Sequence, residues 1–471
     1  DQLGNRIATT NELGKKAKTY FDSLGRVTKS TDYAGFSTVY GYSYQASTVL
    51  GVGGIAVGGY QKTTTLADGH VAIDNIEYFG RTTWHKDYGD HTFTYRYNQA
   101  GWLTEQFGSS GQSIIYDYYA NGFQKSILDN VTGALTQYEY DAEGNRTREA
   151  YTTTVNGQKT HYQVADITYD ELNRVTRILD PKADIRYEYD ANGNRRRVWS
   201  YYHDGVDGAF ATREYWYDYD SMNRFTISMG ALSTGARGTS ASDTSVSIVK
   251  GTTGIQIGYN SASERVSAIY GSDGHREDYT YTADGYLEDT RINGVLRARR
   301  VNDAIGRVTS YVEFNASSAA VFSRTSTYND ANQLTVQQEW STGKNTNTTY
   351  FDYYDTAGTT NNAGSLYTTT LVDGATTITT YYAYEWWDEA KQIAITMAPY
   401  NKNAPNWKSG YSQFTYDVNG HITSVIDPVG GRTLRYTTDA QGLVLTRSET
   451  APGVNILHSY YYLDGKRIGD V

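Results

Sequence analysis

The chain has 471 residues, with 42 basic and 52 acidic side chains for a formal net charge of −10, so no global basic field exists to attract nucleic acid or an anionic membrane. Cysteine is absent, which excludes disulfide frameworks, thiolate nucleophiles, cysteine zinc sites and iron–sulfur clusters. Tyr and Gly each number 46 against 5 prolines, a composition of many short strands joined by tight turns, and the 14% aromatic share argues against disorder.

In chain order, the opening Asp1-Gln2-Leu3-Gly4-Asn5-Arg6-Ile7 reads as the second half of a repeat, without a signal peptide, as if cut from a longer protein. A first full copy is Phe21-Asp22-Ser23-Leu24-Gly25-Arg26-Val27. The glycine-rich 46–59 stretch is expected to be a loop. His85 and His91 flank Asp87-Tyr88-Gly89-Asp90; the group resembles a metal-ligand set, but Gly89-Asp90 is expected to turn the chain, making a polar hairpin. The frame recurs at Tyr97-Asn98, at Tyr116-Asp117, and in full at Tyr138-Glu139-Tyr140-Asp141-Ala142-Glu143-Gly144-Asn145-Arg146. It returns at Tyr169-Asp170-Glu171-Leu172-Asn173-Arg174-Val175, at Tyr187-Glu188-Tyr189-Asp190-Ala191-Asn192-Gly193 and at Tyr217-Asp218-Tyr219-Asp220-Ser221-Met222-Asn223-Arg224. Asp180-Pro181 is an expected turn. The Arg195–Arg197 and Arg297–Arg300 clusters sit among acidic neighbours and read as solvated strand faces.

A Ser/Thr/Gly-rich segment, 230–254, breaks the frame and is expected to be a long loop, as is 401–409. Between them lie Tyr281-Thr282, Val301-Asn302-Asp303 and Glu385-Trp386-Trp387-Asp388, the last a candidate for stacking on sugar rings if its aromatics are exposed. Tyr416-Asp417-Val418-Asn419-Gly420 and Tyr436-Thr437 follow, placing positions 417 and 437 in equivalent frames. With one strand in about ten residues, the chain makes on the order of forty short strands.

Each position has a physical meaning. Tyrosines two apart share a strand face and form an aromatic ladder. Asp or Asn ends the strand by bonding backbone two residues on. Gly or Asn three residues later accepts positive φ. The return strand alternates, as in Arg174-Val175-Thr176-Arg177-Ile178, so the wall has two polar-tolerant faces and no thick core.

The Tyr-x-Tyr-Asp-x-x-Gly-Arg frame resembles the YD repeat of the Rhs family, found in bacterial polymorphic toxins, toxin-complex subunits, wall-associated proteins and teneurins. The resemblance covers nearly the whole chain. It implies an all-β fold: tandem antiparallel β-hairpins spiralling into a hollow or partial shell, a β-solenoid-like cocoon filling residues 1–471. In the toxin members the shell encloses a C-terminal effector domain. The closing Asp-Pro-x-Gly-Leu motif of those members finds only Asp427-Pro428-Val429-Gly430-Gly431, read as a repeat turn, and no effector domain is expected within the chain.

The expected function is that of a structural shell segment, not an enzyme, of a secreted or cell-surface bacterial protein. Its partner is an effector or toxin domain, with a secretion-system component or surface glycans as further possibilities. The alternative is an adhesion module that binds carbohydrate or protein. No nucleic-acid partner, membrane span, cofactor or metal is expected. The residues singled out define the repeat: Tyr138, Tyr140, Asp141, Gly144, Arg146, Tyr169, Asp170, Arg174, Tyr187, Tyr189, Asp190, Gly193, Tyr217, Tyr219, Asp220, Arg224, Tyr416, Asp417 and Gly420.

Overall fold

The computed structural model describes residues 1, 3–45, 58–155, 158–181, 183–203, 210–230, 254–354, 364–397, 412–463 and 466–470. The loops expected at 46–59, 230–254 and 401–409 lie outside the described residues, apart from Gly58, Gly59, Gly230 and Gly254.

The described residues form 37 strands in one antiparallel sheet and no helix. Each strand pairs with the next in the chain, from Ala8–Thr10 on Lys16–Phe21 through to Val454–Leu463 on Lys466–Asp470. In such a meander the connecting turns fall alternately on two edges. The Tyr-Asp turns gather on one of them, here called the tyrosine edge.

The turn at Asp170 shows why the frame folds as it does. The Asp170 amide donates to Arg174 O at 2.9 Å and the Asn173 amide to Asp170 O at 3.0 Å. The amides of Leu172 and Arg174 donate to one carboxylate oxygen, Asp170 Oδ1, at 3.0 and 2.9 Å. The other oxygen, Oδ2, accepts from Arg174 Nε at 2.7 Å. These donors favour the charged form, and the Asp170 carboxyl lies below its usual range, led by the Arg174 hydrogen bond. Asp22, Asp220 and Asp303 repeat the arrangement with Arg26, Arg224 and Arg307. At Asp190 the fourth residue is Asn194, whose Nδ2 takes the place of the guanidinium at 3.0 Å.

The third residue after the aspartate always needs left-handed backbone: Gly193 has φ 87° and Asn173 φ 58°. The non-glycine choices have a purpose. Asn173 Oδ1 accepts from Asn145 in the previous tyrosine-edge turn, at 2.9 Å, and Asn223 Oδ1 accepts from Asn194, also at 2.9 Å. Ser263 and Asn332 accept from Arg224 and Arg307 in the same way.

Successive hairpins are tied together by the tyrosine before the aspartate. Its hydroxyl donates to the carbonyl of the first residue after the preceding tyrosine-edge turn: Tyr169 to Arg146, Tyr189 to Val175, Tyr219 to Arg195 and Tyr259 to Phe225. The Arg174 guanidinium lies 4.4 Å from the Tyr189 ring centre, and Arg224 lies 4.6 Å from that of Tyr259. The expected ladder therefore holds less by ring stacking than by hydroxyl clamps and arginine–ring contacts. The same tyrosine sits at a register shift, as between Thr168 and Tyr169 or Glu188 and Tyr189. A bulge bends and twists its strand, and its repetition along one edge makes the sheet coil.

Faces alternate as expected. In Ala183–Tyr189, Tyr187 and Tyr189 are half-buried while Arg186 and Glu188 are exposed. Clusters of fully buried apolar side chains stay small, the larger being Ile114, Ile127, Tyr138 and Ala440. Tyr189→Phe keeps the ring under Arg174 but removes its bond to Val175 O. The expected loss is about 0.5–1.5 kcal/mol of local stability, seen as faster amide exchange across residues 169–189; unchanged exchange there would refute the clamp.

Candidate functional site

The clamped hairpins bend the sheet until it meets itself. Lys15 Nζ lies 2.6 Å from Asp330 Oδ2, and Gln112 donates to Val418 O, residues 315 and 306 apart. Further along, Asn419 Nδ2 donates to Asp129 Oδ2 at 3.1 Å, and Gln163 Nε2 to Tyr462 O at 3.2 Å. Both members of each pair advance together along the chain. The seventh strand, Thr82–Lys86, meets the turn after the thirtieth, Thr376–Trp386, so one round takes roughly 23 strands. The tyrosine edge of the second round rests on the opposite edge of the first, and this seam is the candidate functional site.

At the centre of the seam the Trp386–Asp388 turn enters the first round. Trp386 packs on His70, ring centres 4.3 Å apart, and edge-on to Tyr88 at 5.9 Å. Trp387 stacks on His91 at 5.3 Å and tilts against Tyr416, also at 5.3 Å. The Trp pair proposed for sugar stacking is thus engaged between rounds and forms no free aromatic row.

His85 stands between two carboxylates: Nδ1 is 2.7 Å from Asp74 Oδ1 and Nε2 is 2.9 Å from Asp388 Oδ1. Burial works against its charge, but the two carboxylates outweigh burial and raise its pKa to about 9. Asp388 is held below its usual range, chiefly by the hydrogen bond from His85. His91 bonds Asp87, whose Oδ1 caps the turn through the Gly89 and His91 amides. The expected hairpin turn at Gly89-Asp90 is present, with Asp90 at φ 66°. Among the described residues no group of three or more His, Asp or Glu has a geometry to hold a metal ion.

Beyond this point Ala440, at the tip of another second-round turn, is buried against Ile114, Ile127 and Tyr138. Its neighbour Asp439 is buried, and burial raises its pKa. The turn carboxylate here is Asp439, which caps Gln441 and Leu443, so the frame sits two residues later than the Tyr436-Thr437 spacing suggests. Likewise the turn following Asp117 starts at Tyr119.

The repeat-defining residues divide between the seam and the ordinary wall. Tyr138 is in the seam cluster, with the Arg146 guanidinium 4.1 Å from its ring centre. Arg146 also pairs with buried Glu149. Tyr140 packs on Phe123 at 4.9 Å, Asp141 Oδ1 caps Asn145, and Gly144 has φ 90°. Tyr416 clamps to Gln392 O at 2.8 Å, Asp417 caps Asn419 and His421, and Gly420 has φ 78°. Tyr187 lies by Arg195 and Tyr217 by Phe225, in ordinary wall. Asp427-Pro428 is a turn, with Asp427 Oδ1 accepting from Val429 and Gly430. Sequence reasoning missed Gln112, Asp129, Gln163 and Ala440 as seam residues, because their partners lie about 300 residues away along the chain.

The fold and seam define a class: an open antiparallel hairpin sheet wound past one full round. No protein-family model matches the chain, and no curated protein matches it. Solved structures do. A crystal structure of a TcdB2–TccC3–TEV assembly is similar over 98% of this chain and 29% of that one, at 13% identity and a TM-score of 0.50. The Photorhabdus luminescens Tc holotoxin pore, with mutated TccC3, is similar over 97% of this chain and 27% of that one, at 11% identity and a TM-score of 0.48. The chain thus spans less than a third of these neighbours' length, and the likeness at such identity is one of fold, in agreement with the fold implied by the YD-repeat resemblance.

A Cβ on Gly89 would lie 1.8 Å from Trp386 O. Gly89→Ala is expected to push the rounds apart and cost about 1–3 kcal/mol, read as faster amide exchange at both 82–93 and 381–391. His85 yields a pH dependence. Its folded pKa is above the ordinary 6.5, so its contribution is complete below about pH 6.5 and is lost as pH rises through about 9. Exchange protection at the seam is expected to fall over that window, and His85→Asn should flatten the profile.

Proposed function

We propose that the chain is wall: a segment of a hollow β-shell that encloses or carries another polypeptide, in a secreted or surface-exposed bacterial protein. The observation that carries this reading is the spacing of side-chain interactions. Those found among the described residues join hairpin neighbours, the widest being Arg224 and Ser263 at 39 residues, or residues of adjacent rounds, from 290 residues upward. A flattened sandwich would also join residues about half a round apart, and none of these interactions does so.

The dimensions follow from strand spacing. Roughly 23 strands at about 4.8 Å each make a circumference of about 110 Å and a diameter of about 35 Å. Side chains reduce the free width to about 25 Å, and strand tilt widens it again. That is the scale of a polypeptide cargo, not of a small ligand. In this reading the chain performs no catalytic step. Its sheet walls off the cargo from proteases and partners. The fold shared with the TcdB2–TccC3–TEV assembly agrees with the YD-repeat resemblance, whose toxin members enclose an effector, and this favours a toxin or effector as cargo. The adhesion alternative loses its best candidate, because the Trp386–Trp387 pair is occupied in the seam.

Cryo-electron microscopy of the purified chain tests the proposal. Class averages should show a sheet curled about a central void at least about 25 Å wide. A solid two-layer sandwich would rule the shell out. The cargo role is tested by adding a small folded domain after Val471: protease resistance of that domain within the fusion, but not when free, is the expected result, and equal cleavage would overturn it.

A further inference from the structure

One turn of the seam lacks a part that the wall turns have. At Asp170 the first carboxylate oxygen accepts two loop amides and the second is held by Arg174. At Asp439, Oδ1 accepts from the Gln441 and Leu443 amides at 2.9 and 2.8 Å in the same way. The residue in the arginine position is Leu443, which has no side-chain donor, and Oδ2 has no hydrogen-bond partner among the described residues. Asp439 is 2% exposed, and Ala440 beside it is buried among Ile114, Ile127 and Tyr138 of the first round. The charges around it do not replace the missing arginine. From the first round Tyr138 and Tyr151 face it. The nearby Arg146 is matched by buried Glu149, which also accepts from Tyr151 at 3.2 Å. Buried Asp129 is engaged with Asn419. From the second round His421 and Tyr462 face Asp439, and the His421 ring lies 2.7 Å from where a Cβ on Gly442 would stand.

We propose that Asp439 is a proton latch on the seam: with a proton on Oδ2 its turn lies closed on Ile114, Ile127 and Tyr138, and loss of that proton loosens the turn from the first round. A buried carboxylate with one oxygen unserved costs more than the neutral acid, which carries no charge into the seam. Burial accordingly raises the Asp439 carboxyl above its ordinary 3.8. An acid whose folded pKa is raised contributes stability that is complete below the ordinary value and is lost as pH rises through the folded one. The latch therefore holds in acid and relaxes towards neutral pH. His85 works in the same direction, but at the Trp386–Asp388 turn and through about pH 9. The latch is a property of the seam and does not depend on what fills the lumen.

Amide exchange of the full chain, corrected for the intrinsic pH dependence of exchange, tests the latch between about pH 4.5 and about pH 7.5. Turn carboxylates held below their usual range, such as Asp170, stay ionised over that window. In the parent, protection at 112–138 and 439–445 should fall as pH rises. Asp439→Asn keeps an oxygen for the Gln441 and Leu443 amides and is neutral at every pH. It should flatten the profile and raise protection at the upper end by about threefold or more. Asp439→Ala removes the cap as well, so it should lower protection at every pH, also without a profile. His85→Asn should leave the profile at 112–138 as in the parent. Circular dichroism checks that each variant keeps the parent's sheet. An Asp439→Asn profile that still falls like the parent's, or a profile at 112–138 that His85→Asn abolishes, would overturn the proposal. The parent alone can also overturn it, by protection at 112–138 that does not fall as pH rises.

Discussion

Everything in this protein depends on a carboxylate that satisfies a turn. A Tyr-Asp hairpin loop leaves amides, such as those of Leu172 and Arg174, that face no backbone acceptor, and a carboxylate that accepts them holds the turn together. Asp170 Oδ1 accepts both, while Oδ2 holds the arginine that begins the return strand. The turn is thus complete in itself, with no core beneath it. That independence allows a sheet of 37 strands to exist with buried apolar clusters of only a few residues.

Long-range order is then built from short-range links. The clamp from Tyr189 to Val175 O, the Asn194–Asn223 bridge and the arginine–ring contacts each span one hairpin. The clamping tyrosine also sits at a register shift, as at Tyr189. A meander whose bulges recur at the tyrosine-edge turns, as at Tyr169 and Tyr189, bends and twists strand after strand. Curvature is therefore a summed local property, and the lumen inferred for the shell is its consequence. The seam adds a different kind of contact. Buried Asp129, Gln112 and Gln163 pair with groups of the next round, and His85 bridges two carboxylates across it. Polar pairs of this type depend on register, so they fix which strand of one round meets which turn of the next.

The division of aromatic side chains follows the same logic. Tyrosine suits the wall because its ring covers a neighbour and its hydroxyl reaches a carbonyl. Two tryptophans and two histidines join the rounds, with Trp386 on His70 and Trp387 on His91. A toxin-shell reading and a surface-adhesion reading use the same wall and differ in what the aromatics face. Here the Trp386–Trp387 pair, the candidate for sugar stacking, is engaged between rounds.

The sequence by itself determined the hairpin, because every interaction in it is local: Tyr169-Asp170 predicts its own turn, the left-handed residue at Asn173 and the alternation of Val175–Asp180. It also determined that the fold is all-β and without a thick core, since the frame repeats with few aliphatic residues. Where a strand carried two candidates the frame slipped, as at Asp439, because a Thr-rich strand can take either register until its neighbours choose. Tertiary structure alone decided the number of strands in a round, the burial of Gln112 and Ala440, and the engagement of Trp386. Those depend on small bends summed over about 300 residues, and a local motif carries no record of the angle at which the sheet meets itself.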